Sequence, residues 1–159
     1  MKQENELLLI KDLCARAPYR PIVNVAYSAS DSMGFKLLWV KKELTSFLLN
    51  YIEEDDSWEH IKPYLRSPSS MTEEEAEEMF HLMYPKDKLL KVELEQDFVR
   101  FNRIFDGEHS GILCIFFNKI YSLEQLDWYY SKHFDVRGLI PLNLAIEVTD
   151  KNNPYERTD

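Results

Sequence analysis

The sequence predicts an α+β fold in which a small antiparallel sheet is covered by three or four helices within a single domain. Apolar residues recur every three or four positions in some windows, as in amphipathic helices, and alternate with polar residues in others, as in half-buried strands. The chain has 159 residues, of which 45% are hydrophobic, enough for the core of one domain. We therefore expect a single α+β domain over residues 1–150 and a polar, frayed C-terminal tail over 151–159.

The first third of the chain predicts one helix followed by strands. Leu7, Ile10, Cys14 and Ala17 recur at helical spacing, with Leu13 alongside, and predict a helix over residues 5–16. Pro18 ends this helix, whose apolar stripe is expected to cover the sheet. Alternating residues over 23–27 and 35–39, separated by a small polar loop, predict a hairpin. Frequent β-branched and aromatic residues over 44–52 predict a third strand.

The middle of the chain holds the sharpest helix signal. Thr72 and Glu75 have capping-box spacing, in which each side chain satisfies a backbone N–H of the first turn. A helix is therefore expected to begin at or just before Thr72, and Pro85 ends it. Upstream, Pro63 removes a backbone donor, so residues 59–65 are expected to form a short helical turn or an extended segment.

The second half predicts two further helices around a buried strand. Apolar residues at steps of three or four predict a helix over 89–104, and the unbroken apolar core of 112–121 predicts a buried strand. Ser122 and Gln125 repeat the capping-box spacing and open the last helix. The expected apolar face of that helix consists of Leu123, Leu126, Tyr130 and Phe134. Residues 139–148 could return as a short edge strand.

The composition narrows the classes of partner and compartment. The net charge is −9 and the basic residues are dispersed, which argues against direct binding to nucleic acid or to an anionic membrane. Cys14 and Cys114 each lie in an apolar run and are expected to be buried thiols of a reducing compartment, without a disulfide. The N-terminus lacks a secretory signal, and no window approaches about 18 apolar residues, the length of a membrane span. We therefore expect a cytoplasmic protein.

Two histidines mark the places where chemistry could occur. His81 follows Glu78 by three residues, a spacing that di-iron bundles use, but a second such pair is missing, so an exposed helical histidine is the better interpretation. His133, Asp135 and Arg137 alternate after the last predicted helix, where an imidazole and a carboxylate could support acid–base catalysis. We favour a structural role, since the helix dipole favours His133 and an Asp135–Arg137 pair would fix the turn. No catalytic residue, cofactor or metal site is expected.

Two segments carry longer motifs. Residues 61–75 match IKPYLRxxSSMTxEE, and residues 127–140 match DWxxxxHFDxRGLI. These motifs resemble a pair found in an uncharacterised family of short hypothetical proteins from gut bacteria and their phages. The resemblance implies a phage-related context and supplies no activity. The candidate residues of the two motifs, whether functional or structural, are Tyr64, Arg66, Trp128, His133, Asp135, Arg137 and Gly138.

Three functions follow from these observations. The leading hypothesis is a non-enzymatic protein-binding or regulatory module of phage or prophage origin, with another protein as its partner and its oligomeric state open. The first alternative is a small enzyme that uses His133, Asp135 and Arg137 in a cleft. The second is an acidic mimic of nucleic acid, which requires the carboxylates of 53–56 and 73–78 to form a regular surface array.

Overall fold

The computed structural model describes the backbone of residues 3–31, 34–54 and 60–156, and the side chains of 3–27, 36–50 and 60–156. The chain divides into two compact units: unit 1 is Met1–Arg66 with Arg137–Asp159, and unit 2 is Ser67–Val136. Both contain helices and strands, so the α+β class is confirmed. The strands form two sheets, one in each unit, where a single antiparallel sheet was expected. The expectation of one domain over 1–150 stays a prediction.

The described residues form four α-helices and seven strands, besides short 3-10 turns. In chain order they are α1 (Gln3–Arg16), β1 (Ile22–Asp31), β2 (Gly34–Glu43), α2 (Ser46–Glu54), β3 (Ile61–Leu65), α3 (Glu73–Met83), β4 (Lys88–Leu94), β5 (Phe98–Phe105), β6 (His109–Phe116), α4 (Leu123–Ser131) and β7 (Ile146–Glu147). None of these helices has the length and apolar composition needed to cross a membrane.

The sheet of unit 1 has the strand order β2-β1-β3-β7. β1 and β2 form the predicted hairpin and pair antiparallel without interruption, from Ile22 opposite Glu43 to Asp31 opposite Gly34. β3 pairs antiparallel with β1, and β7 pairs parallel with β3. The edge strand predicted over 139–148 is therefore present as β7, but only two of its residues take part.

Pro63 lies inside β3, at a position where its missing N–H leaves the pairing with β1 intact. The Leu44 N–H donates to the Pro21 carbonyl at 2.8 Å, and these residues continue the register of the hairpin. In the β1–β2 pairing, the hydrogen-bonded pairs therefore fall at the odd-numbered residues of β1. The N–H and C=O groups of these residues point toward β2 and away from β3. Val23 is one of them, so the Val23–Pro63 pair needs no hydrogen bond. Of the two alternatives predicted for 59–65, the extended one is observed.

The core of unit 1 contains a charged pair that the apolar pattern of α1 does not predict. The buried face of α1 consists of Leu9, Asp12, Leu13 and Arg16. The predicted stripe is only partly right, because Leu13 is buried and Ile10 packs against the core, while Leu7 is 51% exposed and Cys14 is exposed. Periodicity of apolar residues gives no weight to Asp12 and Arg16, which compensate each other's charge inside the core. The expectation that Cys14 is buried fails for the same reason.

The strand predicted over 44–52 is wrong, because this segment forms α2. The Leu48 N–H donates to Thr45 Oγ1 at 3.2 Å, so Thr45 caps the first turn of the helix. Leu48 of α2 is buried in the core of unit 1, and Leu49 packs against that core. Burial of one helical face therefore outweighs the strand preference of the β-branched and aromatic residues.

Unit 2 begins with the helix that the capping box predicts. The Thr72 N–H donates to the Glu75 carboxylate at 3.0 Å, and the Glu75 N–H donates to Thr72 Oγ1 at 3.2 Å. Both halves of the predicted box are thus present. Ala76, Met79 and Phe80 bury the inner face of α3.

The helix predicted over 89–104 is wrong, because the segment forms the antiparallel strands β4 and β5. The chain turns between them, where the Glu95 N–H donates to the Phe98 carbonyl at 3.0 Å. In β5, Val99 and Phe101 are buried two residues apart, as in a strand. Pairing on both sides of β5 therefore decides its conformation. The predicted turn at Asp106 is confirmed, and a strand follows it, although β6 ends at Phe116. The expected burial of this strand is wrong, because Ile115 is the one buried residue of β6 and Ile112 is 69% exposed.

α4 begins as predicted, and its expected apolar face is only partly buried, since Tyr130 and Phe134 are buried and Leu126 is half-buried. The Gln125 N–H donates to Ser122 Oγ at 3.1 Å, while Gln125 Oε1 accepts from the Tyr121 N–H at 2.7 Å, so the box is not reciprocal. The buried residues of α4 are Gln125, Trp128, Tyr129 and Tyr130. Leu123, expected in the core, is 79% exposed.

Candidate functional site

The seven candidate motif residues divide between the two units. Tyr64, Arg66, Arg137 and Gly138 belong to unit 1, and Trp128, His133 and Asp135 belong to unit 2. The boundary falls between Val136 and Arg137, inside the second motif.

His133 ends α4 in a Schellman motif. Its N–H donates to the Tyr130 carbonyl at 3.1 Å, and the Phe134 N–H donates to the Tyr129 carbonyl at 2.9 Å. His133 has a φ of +61°, the left-handed conformation that usually selects glycine. The rings of Phe134 and Tyr129 pack edge to face at 5.9 Å, the apolar contact that accompanies this motif. Asp135, two residues later, is buried.

Trp128 anchors α4 in the core of unit 2. It is buried and stacks on Phe134, with 5.8 Å between ring centroids. Lys132 donates to the Glu78 carboxylate at 2.7 Å. That hydrogen bond lowers the pKa of Glu78, against partial desolvation, and the Trp128 side chain contributes a second, smaller lowering.

Arg137 belongs to a buried polar network that the sequence did not indicate. Asp12 accepts from Arg16 Nε at 2.5 Å, and both side chains are fully buried. Arg137 Nε lies 3.4 Å from the second oxygen of Asp12. One carboxylate therefore holds two guanidinium groups from distant parts of the chain. The i, i+4 spacing of Asp12 and Arg16 was the available signal, but it is common on exposed helices.

Tyr155, within the predicted tail, joins two strands of unit 1. The Ile22 N–H donates to its hydroxyl at 3.2 Å, and the hydroxyl donates to the Tyr64 carbonyl at 2.8 Å. Ile22 and Tyr64 would be the next opposite pair of the β1–β3 register, so the hydroxyl bridges the strands where their ladder ends. Burial raises the pKa of Tyr155 to about 12. Tyr64 is also buried, which raises its pKa, and Arg66 follows β3 half-buried.

Among the described residues of unit 1, a run of consecutive exposed apolar side chains lies on β2, and we name residues 36–42 the β2 edge. β2 is the terminal strand of its sheet among the described residues. Four consecutive apolar side chains on it are between 42% and 47% exposed, namely Leu37, Leu38, Trp39 and Val40. Because successive side chains point to opposite faces, both faces of the strand are apolar and accessible.

The β2 edge also offers backbone hydrogen-bonding groups. Even residues of β2 form the hydrogen-bonded pairs with β1, as the Leu44–Pro21 bond requires. Leu37, Trp39 and Lys41 therefore direct their N–H and C=O groups away from β1. No described strand pairs with that side of β2.

A cavity of about 430 Å³ opens beside the β2 edge. It is lined by Tyr27, Lys42, Glu43, Thr45, Phe47 and Leu48. Phe47 is 79% exposed, the highest value for a large apolar side chain in unit 1 among the described residues. The Lys42 ammonium lies 4.7 Å from the centroid of the Tyr27 ring. The cavity is thus aromatic with a cation at its rim.

Lysines accompany the apolar residues of the β2 edge although the chain is acidic overall. Lys36, Lys41 and Lys42 are exposed. The adjacent acid, Glu43, lies 3.5 Å from the Arg20 guanidinium, which offsets its charge. The local surface is therefore apolar and basic.

Three other groups of residues were considered from the sequence, namely His81, the acidic run 53–56 and the two cysteines. His81 is exposed on α3, as expected. Asp55 and Asp56 of the acidic run 53–56 lie outside the described residues. Cys14 and Cys114 are free cysteines, and Cys114 is only half-buried. Within the described part of the chain, no three His, Cys, Asp or Glu side chains are grouped to hold a metal ion.

No family model, curated protein or solved structure matches this chain. The resemblance of its two motifs to a phage-related family therefore stays a prediction.

Proposed function

We propose that this chain is a non-enzymatic protein-binding module of phage or prophage origin that acts in the cytoplasm, and that it binds its partner by adding a strand to the β2 edge. The observation that carries this proposal is the exposed run Leu37, Leu38, Trp39 and Val40 on a terminal strand. A long apolar edge strand templates pairing with another chain, and proteins that do not use such an edge usually blunt it. Added strands gain affinity from main-chain hydrogen bonds and specificity from side-chain pockets.

The cavity beside Phe47 supports this mode of binding. An added strand would place alternate side chains on the face that carries Tyr27, and one of them could enter the cavity. Trp39, on the opposite face, supplies the large aromatic surface that binding hot spots favour.

The two alternatives rest on other residues. For the enzyme, His133 already ends α4 and Arg137 already contacts Asp12, so both have structural roles. For the nucleic-acid mimic, Glu73, Glu74, Glu77 and Glu78 are exposed on α3. Each alternative predicts an activity that does not depend on the β2 edge.

Affinity capture from gut-bacterial lysate, quantified by mass spectrometry, tests the proposal. The variant Leu37→Thr/Trp39→Thr removes apolar surface and keeps strand propensity. We expect it to lose the captured protein, whereas the matched control Leu90→Thr/Ile112→Thr, at exposed positions of the other sheet, keeps it. Hydrogen exchange should show protection of the Leu37, Trp39 and Lys41 amides in the complex. Capture that is equal in the parent and in both variants would overturn the proposal.

A further inference from the structure

We propose, on the basis of the proposed function, that the strand added at the β2 edge belongs to a different protein and carries two apolar residues flanked by acidic residues at alternate positions. The argument begins with the register of the hairpin. Val25 and Tyr27 lie opposite Val40 and Leu38. Side chains of opposite residues share a face, so the even residues of β2 lie on the face of Val25 and Tyr27.

That face of the β2 edge has a symmetric pattern. Its residues, in order, are Lys36, Leu38, Val40 and Lys42, all exposed. Two apolar side chains are thus flanked by one cation on each side. A strand paired with this edge sets its own alternate side chains directly opposite these four. Apolar contact and opposite charge then favour an added strand whose four alternate residues on this face are acidic, apolar, apolar and acidic. We call this pattern the acidic, apolar, apolar, acidic row.

The required row is the same in both chain directions. Because the pattern of β2 reads alike from either end, a parallel or an antiparallel segment satisfies it equally. On the other face, Lys41 lies 5.0 Å from the centroid of the Tyr64 ring. Lys36 and Lys42 share the face of Leu38 and Val40, whereas Lys41 does not, so we assign recognition of the two acidic residues to Lys36 and Lys42.

A second copy of this chain fits the β2 edge poorly. In an antiparallel β2–β2 pair centred on Trp39, Lys36 of one copy would lie opposite Lys42 of the other, and like charges in that position are destabilising. None of the described strands carries the acidic, apolar, apolar, acidic row at alternate positions. The net charge of −9 also opposes self-association. These three facts favour a different protein.

Defined peptides test this inference. The labelled probe is Thr-Asp-Thr-Val-Thr-Val-Thr-Asp-Thr, and its control has Asn in place of both Asp residues. Fluorescence anisotropy should give about tenfold tighter binding of the acidic peptide at low salt, from two opposite-charge pairs. The difference should shrink as salt is raised.

Charge reversal sharpens the test. The variant Lys36→Glu/Lys42→Glu should reject the acidic peptide and prefer a peptide with Lys at both acidic positions. The control Lys86→Glu/Lys88→Glu changes the net charge equally at exposed residues of unit 2 and should keep the parent's preference. A parent that binds the acidic and Asn peptides equally, with the Leu37, Trp39 and Lys41 amides protected, would overturn the acidic row and leave strand addition standing. Binding of the acidic peptide without protection of these amides would overturn both proposals.

Discussion

Units 1 and 2 differ in the composition of their cores and of the terminal strands β2 and β4. Unit 1 buries the Asp12–Arg16 pair in its core and leaves four apolar residues exposed along β2. Unit 2 has a core of apolar and aromatic side chains and a charged terminal strand, β4. β2 and β4 therefore differ in composition, although the other terminal strand of unit 2, β6, is also apolar and exposes Ile112.

β2 and β4, one terminal strand from each sheet, differ in their protection against pairing. β4 has a register irregularity between Leu89 and Lys91. Glu93 of β4 contacts Lys91 at 2.6 Å and Arg100 at 3.2 Å. Both hydrogen bonds lower the pKa of Glu93, and the bond from Lys91 has the larger effect. Irregular pairing and surface charge are two devices by which proteins blunt sheet edges. β2 pairs through ten consecutive residues without a bulge and concentrates apolar residues at its centre.

The largest effect is expected for the buried pair of unit 1. Asp12→Ala removes the carboxylate that contacts Arg16 and Arg137, and loss of one partner of a buried ion pair costs about 3–5 kcal/mol. Urea denaturation measures the change in the free energy of unfolding. The double replacement Asp12→Leu/Arg16→Met removes both charges and should recover most of the loss. A single variant as stable as the parent would show that the pair contributes nothing to unit 1.

Two tryptophans compare the interior of unit 2 with the surface of unit 1. Trp128→Ala should cost about 3 kcal/mol, because a large buried aromatic side chain is lost. Trp39→Ala should cost less than about 1 kcal/mol, because Trp39 is exposed. Thermal and urea denaturation of both variants check the difference. Equal costs would contradict either the burial of Trp128 or the exposure of Trp39.

Alkaline pH should weaken both units, because each contains a tyrosine whose pKa is raised by burial. Burial raises the pKa of Tyr155 in unit 1 and of Tyr129 in unit 2 to about 12, from 10. The folded state therefore holds its phenolic protons when the unfolded state has released them, and the free energy of unfolding falls as pH rises from about 10 to 12. Tyr155→Phe and Tyr129→Phe should each reduce that slope, as measured by denaturation at several pH values. Slopes identical to the parent's would mean that these phenols titrate normally.

The smallest effect on the free energy of unfolding is expected for a substitution on β4. Lys91→Val should change the free energy of unfolding by less than about 0.5 kcal/mol, because Lys91 is exposed. It should instead increase concentration-dependent self-association, since a charge that blunts the edge is replaced by an apolar side chain. Analytical ultracentrifugation measures this association. Val40→Lys on β2 is the opposite change and should not promote it.

Local signals in the sequence predicted several elements correctly. Three of these elements depend on residues that are neighbours in the sequence: the capping box at Thr72, the alternation of β1 and β2, and the turn at Asp106. A short stretch of sequence is therefore enough to predict each of them. The candidate site was found only in part. Arg137 was selected from its motif, but its contact with Asp12 joins residues 125 positions apart, as their numbers give.

The sequence by itself determined the α+β class, the capped helix α3 and the β1–β2 hairpin, because the hydrogen bonds and periodicities that define them are local. Tertiary structure alone decided that 89–104 forms two strands. Each strand pairs with a neighbour in the sheet, and this pairing outweighs the helical spacing of the apolar residues. Tertiary structure also decided which face of α1 is buried, because the Asp12 carboxylate becomes acceptable in a core only when Arg16 and Arg137 reach it. The exposure of β2 likewise depends on which elements cover each strand, and that is set by packing across the whole unit.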